Sequence, residues 1–191
     1  MLITALTQSI EYLAGRSRLV YALMGLYYKS IIRQEAHLAG ISSKDKILCI
    51  GGGPCPYTAI LLHKLTGAPV TVIDNNRFCV QKSLGLIKRL NLQDEIKVLC
   101  SEGENIDCHG FSVIHLAMQI SPKEKVLKRL LGDAQEGAKI LVRMPKPVVK
   151  GLYCNISCNP FSKGCVAHHL FANIDSTALF VKEGFPFEAA F

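Results

Sequence analysis

The sequence predicts an α/β domain: a mainly parallel sheet of about seven strands with helices on both faces and a short helical segment in front. Three observations carry this. Short apolar runs alternate with helical patterns from residue 46 to 143, which is the signature of βαβ units. The first run, Ile47–Ile50, stops abruptly at Gly51-Gly52-Gly53. The second, Val70–Ile73, stops at an acid, Asp74. A glycine turn followed by an acid at the next strand end is how open α/β sheets hold a ribose-bearing ligand.

In order, residues 1–40 read as a helical N-terminal segment. Leu19, Leu23, Leu26 or Tyr27, Ile31 and Glu35 or Leu38 recur at helical spacing, Gly15 divides two pieces and Gly40 is a helix stop. Residues 41–191 form the main domain. After Ile47–Ile50 and the glycines, Tyr57–Leu65 is a helix and Val70–Ile73 a strand. Asn75-Asn76-Arg77 opens a second helix with Val80, Leu84, Ile87 and Leu90 on one face. Ile96–Cys100 is the third strand, and the loop Glu102-Gly103-Glu104 follows. Ser112–Leu116 is the fourth strand. Ser121-Pro122-Lys123-Glu124 has capping-box spacing, with Pro at the first helical position, and its helix runs to Leu131. Lys139–Arg143 is the fifth strand, and Ser176–Lys182 the last.

The bulk numbers exclude several classes. With 191 residues, 49% apolar and 19% charged, the chain can bury one sizeable core. The formal net charge is +7, yet the cations are scattered. Lys29, Arg33, Lys88, Lys123, Lys125 and Lys128 are expected on solvated helix faces rather than on a nucleic-acid surface. No apolar run reaches the roughly 18 residues of a membrane span. No secretory signal opens the chain, so the eight cysteines are expected reduced, in a cytoplasm. Cys49, Cys79 and Cys100 lie in apolar runs and are read as core residues. Cys154, Cys158, Cys165, His168 and His169 form a Cys/His-rich stretch whose spacing matches no common zinc motif. No metal site is assigned to it; a non-catalytic cofactor-binding or metal-sensing module is the alternative it motivates.

The turn narrows the cofactor. Pro56 stands where a dinucleotide fingerprint wants its third glycine, and no Gly-Lys-Ser/Thr follows. The pattern suits a nucleoside carrying a carboxylate in place of a pyrophosphate, and S-adenosylmethionine is such a ligand. Its carboxylate can meet free turn amides and its ribose Asp74, with Asn75 alongside. Glu102-Gly103 would flank the adenine. His115, inside the fourth strand, is read as a satisfied buried histidine.

The stretch ILCIGGGPCPYTAILL, Ile47 to Leu62, resembles the nicotianamine synthase-like proteins, whose turn follows the same G-x-G-P-x-P-x-T pattern. The likeness continues through Arg33–Gly40, Phe111–Ile114 and Asn173–Val181. It implies the Rossmann-like fold of class I S-adenosylmethionine-dependent methyltransferases. It also implies transfer of an aminocarboxypropyl group to an amine on a small-molecule acceptor. By the same resemblance Gly51, Gly53 and Pro54 contact the methionyl part, Asp74 the ribose and Glu102 the adenine side. Ala117 lies near the sulfonium, and Tyr28 and Glu35 face the active site. Glu35 is the expected general base and Tyr28 the residue that hydrogen-bonds the acceptor or closes the pocket. Family members carry a longer helical domain before the turn, so part of the acceptor pocket is expected either to be missing or to be supplied by a second subunit, in a homodimer.

Overall fold

The computed structural model describes residues 18–146, 162–168 and 174–183. Its elements are α1 (Arg18–Leu38), β1 (Ile47–Ile50), α2 (Tyr57–Thr66), β2 (Val70–Asp74), α3 (Arg77–Arg89), β3 (Ile96–Cys100), β4 (Val113–Leu116), α4 (Lys123–Asp133), β5 (Lys139–Pro145), β6 (Gly164–Ala167) and β7 (Ile174–Val181). They build one seven-stranded sheet in the order β3-β2-β1-β4-β5-β7-β6.

Every residue of β1 and β4 is buried. Strands covered by helices on both faces must read as unbroken apolar runs, which is why these two were visible in the sequence. One face packs under α1, α2 and α3, through Ile32, Ile60, Val72, Ile87 and Leu141 among others. The other packs under α4, through Ile50, Leu116, Leu127, Leu130 and Val142. Local chemistry sets the helix ends. Asn76 Oδ1 accepts from the amides of Phe78 (2.9 Å) and Cys79 (3.4 Å) and caps α3. Gly67, at φ 75°, ends α2 in the left-handed conformation with its amide on the His63 carbonyl.

The chain winds outward through β1, β2 and β3, then returns to place β4 on the other side of β1. A crevice therefore opens at the carboxyl ends of β1 and β4, where open α/β sheets bind ligands.

Several expectations change. The sheet is mixed: β1 to β5 run parallel, while β7 is antiparallel to both β5 and β6. β6 was not anticipated. Ser112 stands just before β4, its hydroxyl donating to Asp45 and accepting from the Lys46 amide. No side-chain capping bond forms at the start of α4, where Pro122 is the N-cap. On α3 the buried face is Cys79, Val80, Ser83, Leu86 and Ile87, and Leu84 is half-exposed. Cys100 is exposed because β3 is an edge strand. Lys123 is fully buried, its Nζ donating to the carbonyls of Met118 and Arg143, each at 2.9 Å. It thus ties the loop after β4 to the end of β5. Among the described residues no helix is long and apolar enough to cross a membrane.

Candidate active site

The glycine turn sits at the mouth of the crevice. Gly51 (φ 84°) and Gly53 (φ 62°) have left-handed backbones, which a side chain strains and glycine does not. The amides of Gly51 and Gly52 donate to the Ile73 carbonyl at 2.9 and 3.1 Å. The Gly53 amide donates to Asp74 Oδ2 at 2.8 Å. These amides are therefore not free for an anion, as the sequence suggested; they lock the turn onto β2. What the turn offers is close approach. A Cβ at Gly51 would lie 2.7 Å from Ile120 Cδ1 and 3.2 Å from Ala117 Cβ, and one at Gly52 would run into Val72.

Asp74 lies across the turn, its Oδ1 accepting from the Asn76 amide at 2.9 Å. Asn75 Nδ2 approaches Glu102 at 3.2 and 3.4 Å, so the ends of β2 and β3 are joined. Gly103 packs down on Ile50 and Val126, where a Cβ would come within 2.9 Å of Ile50. Arg129, from α4, holds this loop by donating to the Ile106 carbonyl at 3.0 Å and the Gly103 carbonyl at 3.5 Å.

A cleft of about 490 Å³ runs from this edge inward. The structure gathers Gly51, Gly53, Asp74, Asn75, Glu102, Gly103 and Ala117 on its walls, along with Tyr28. Pro54 is buried and lines no part of it; Cys55 and Pro56 do instead.

The inner end is polar, and the sequence showed little of it. Glu35 is fully buried. Its carboxylate accepts from Arg143 Nε and Nη2, each at 2.8 Å, and from Thr177 Oγ1 at 2.7 Å. Arg143 Nη1 also donates to Thr58 Oγ1 at 2.9 Å, and its guanidinium lies 5.6 Å from the centre of the Tyr28 ring. Tyr28 in turn stacks on Tyr57. His115 Nε2 stands 3.3 Å from Glu35 Oε2. That nitrogen makes no hydrogen bond, and it is the buried polar side-chain atom left so among the described residues. His115 is buried as expected but not satisfied.

Sheet geometry assembles this group. Residues i and i+2 of a strand share a face. His115 pairs in register with Cys49 on β1 and Leu141 on β5, and Arg143 pairs with Thr177 on β7. His115 and Arg143 therefore share the face on which α1 lays Glu35.

Electrostatics follow from burial. Desolvation alone would raise the Glu35 carboxyl. The Arg143 charge, then His115, outweigh it and hold the group far below the usual carboxylate range. Arg143 loses by desolvation and gains more from Glu35, so its pKa rises. For His115 burial comes first and Arg143 second, and together they outweigh Glu35 and lower its pKa. Burial pushes the Cys49 thiol up to about 12. Glu35, the expected base, is held bidentately by Arg143 with its carboxyl far below the usual range, and it does not itself line the cleft. His115 and Arg143 do line it.

The Cys/His-rich stretch falls mostly outside the described residues, which omit Cys154, Cys158 and His169. Cys165 is exposed on β6. His168 has both ring nitrogens engaged, with Gln34 Oε1 at 2.9 Å and Thr177 Oγ1 at 2.8 Å, so as placed it offers a metal no lone pair.

No family model matches the chain. The L-histidine 2-aminobutanoyltransferase of Yersinia pestis is 25% identical over 136 residues, 69% of this chain and 51% of that protein. The chain thus spans about half the length of this curated relative. A mutant of the nicotianamine synthase MtNAS in complex with S-adenosylmethionine superposes with a TM-score of 0.76 at 22% identity, over 91% of this chain and 70% of that one. An RNA methyltransferase from Salinibacter ruber in complex with S-adenosyl-L-homocysteine gives 0.70 at 14% identity, over 85% and 96%. The fold is the Rossmann-like methyltransferase fold, and the resemblance to nicotianamine synthase extends through the three-dimensional structure.

Proposed function

We propose that the chain is an S-adenosylmethionine-dependent transferase that moves an aminocarboxypropyl or methyl group onto a small-molecule amine. One observation carries it. At the β1/β4 crevice a left-handed glycine turn faces Asp74, and a cleft of about 490 Å³ continues beyond them. That volume lies within the range of about 300–1,000 Å³ typical of ligand pockets. The nicotianamine synthase neighbour was crystallised with S-adenosylmethionine, and the curated relative is named for transfer to L-histidine.

The residues fit the group. Asp74 keeps one lone pair on each oxygen after accepting from Gly53 and Asn76, which suits a ribose diol. Asn75, Glu102 and Gly103 would border the base, and Gly51, Gly53 and Ala117 the methionyl and sulfonium side. When bound, S-adenosylmethionine supplies an electrophilic carbon on a sulfonium, which leaves as a thioether. The protein's part is alignment and exclusion of water. Tyr28, stacked on Tyr57 and resting against Arg143, would close the acceptor end. A cleft of about 490 Å³ suits a small acceptor, and a second copy of the chain would complete its outer wall.

Isothermal titration with S-adenosylmethionine tests the reading. The wild type should bind, and Asp74→Ala should weaken binding about 10- to 150-fold, the worth of about 1.5–3 kcal/mol for a charged hydrogen bond. Absence of wild-type binding rejects the proposal. Released methylthioadenosine marks aminocarboxypropyl transfer, and S-adenosylhomocysteine marks methyl transfer.

A further inference from the structure

We infer that His115 is the proton acceptor of this site, with Glu35 as the positioning residue that orients its ring. The inference rests on the transferase reading for the amine it serves; its geometry stands separately. His115 is 1% exposed, yet it lines the cleft. Ala117, the residue after β4 and two positions on from His115, lines the same cleft. Glu35 lies behind it, off the cleft, and Nε2 faces Oε2 at 3.3 Å. With Nε2 turned to the carboxylate, the role falls to Nδ1. A buried polar nitrogen without a hydrogen bond needs an explanation. Catalytic contacts are often long and poorly aligned before substrate binds and tighten afterwards.

The surroundings suit the role. Glu35 comes from α1, Arg143 from β5, Cys49 from β1, Tyr28 from α1 and Tyr57 from α2. Arg143 and Glu35 cancel each other's charge. Burial followed by Arg143 lowers the pKa of His115, so the imidazole is neutral before the acceptor arrives. Cys49, pushed up to about 12, stays a thiol. Arg143 and Thr177 hold Glu35 from the far side, so its carboxylate orients the ring without leaving its place. In the step proposed, one N–H bond of the acceptor ammonium breaks. The proton goes to Nδ1, and the electron pair stays on the acceptor nitrogen as the nucleophile. The resulting imidazolium faces the Glu35 carboxylate and passes its proton to solvent after product leaves.

Two measurements test this. In the first, nitrogen NMR of wild-type protein labelled at histidine should show the His115 ring neutral near pH 7 with its hydrogen on Nε2. Glu35→Gln should redistribute the tautomers. A ring carrying its hydrogen on Nδ1, or doubly protonated near pH 7, overturns the inference; where Glu35→Gln does not fold, the wild-type spectrum decides. In the second, turnover with L-histidine as the probe acceptor should fall about 10²- to 10⁴-fold in His115→Gln. The acid limb of the pH profile should vanish, while affinity for S-adenosylmethionine moves less than about threefold. A variant that keeps its rate and acid limb overturns the inference as well. A wild type that binds no S-adenosylmethionine sinks the transferase reading instead. Where the wild type is idle with L-histidine, the ring tautomer alone upholds or overturns the role of His115.

Discussion

Arg143→Leu probes the buried ion pair most directly. The arginine is 4% exposed and Glu35 not at all, so the substitution strands a carboxylate that has lost two bonds of 2.8 Å. Removing one partner of a buried pair costs about 3–5 kcal/mol. For a domain of this size each kcal/mol lowers Tm by about 2–4 °C, so a drop of about 6–20 °C is expected. The pH dependence gives the sharper signature. In the wild type the folded-state pKa of Glu35 lies below its unfolded value. Its contribution is therefore present above the unfolded value of about 4.3 and lost as pH falls through the folded one. Without Arg143 the desolvation cost, the largest influence on Glu35, is opposed mainly by His115, and that pKa rises well above its wild-type position. The deficit of the variant should be largest near neutrality and shrink on acidification to about pH 5. Thermal melts followed by circular dichroism across that interval measure it. The double variant Glu35→Leu/Arg143→Leu should recover much of the loss, since apolar replacement of a whole buried pair is often neutral. A single variant melting within about 3 °C of wild type at every pH refutes the reasoning. So does a double variant no better than the single one.

Three further outcomes follow from the geometry. Gly51→Ala should lower stability by about 1–3 kcal/mol, because it puts a Cβ 2.7 Å from Ile120 at φ 84°; a differential scanning trace unchanged from wild type would contradict this. Under iodoacetamide near pH 8 the exposed Cys100 and Cys165 should label and buried Cys49 should not, as peptide mass mapping can show. Arg129→Ala frees the carbonyls of Gly103 and Ile106. Hydrogen exchange should accelerate across 101–107, and affinity for S-adenosylmethionine should fall several-fold, with little change in Tm; unaltered exchange there would rule out the brace.

The parallel half of the sheet was legible because burial on both faces demands apolar runs, and β1 and β4 supply them almost without interruption. The turn and Asp74 were legible for a similar reason: the left-handed positions take glycine, and the acid closes a bond to Gly53. The reversal at β7 was not, since pairing direction depends on where the chain returns rather than on composition. β6 alternates half-buried and exposed positions over four residues, too short a pattern to stand out.

The buried pair was hidden because its members are 108 positions apart and each alone looks like a surface charge. A trace of it is nevertheless present in the sequence. Arg143 follows Ile140-Leu141-Val142 in a strand flanked on both sides by other strands, so its charge had to be buried and had to find a counter-charge. Glu35 lies on the inner stripe of α1, at helical spacing from Ile31, Ile32 and Ala39, all buried. An acid on an apolar stripe and a base inside an apolar strand each violate the local pattern, and two such violations on elements that pack together resolve each other. The same logic reaches His115, a polar residue in a fully buried strand on the same sheet face. The ion pair does not resolve this third violation, because Nε2 stays without a hydrogen bond beside Glu35. The ring also lines the cleft, so a ligand held on Nδ1 would draw Nε2 onto the Glu35 carboxylate and close that bond.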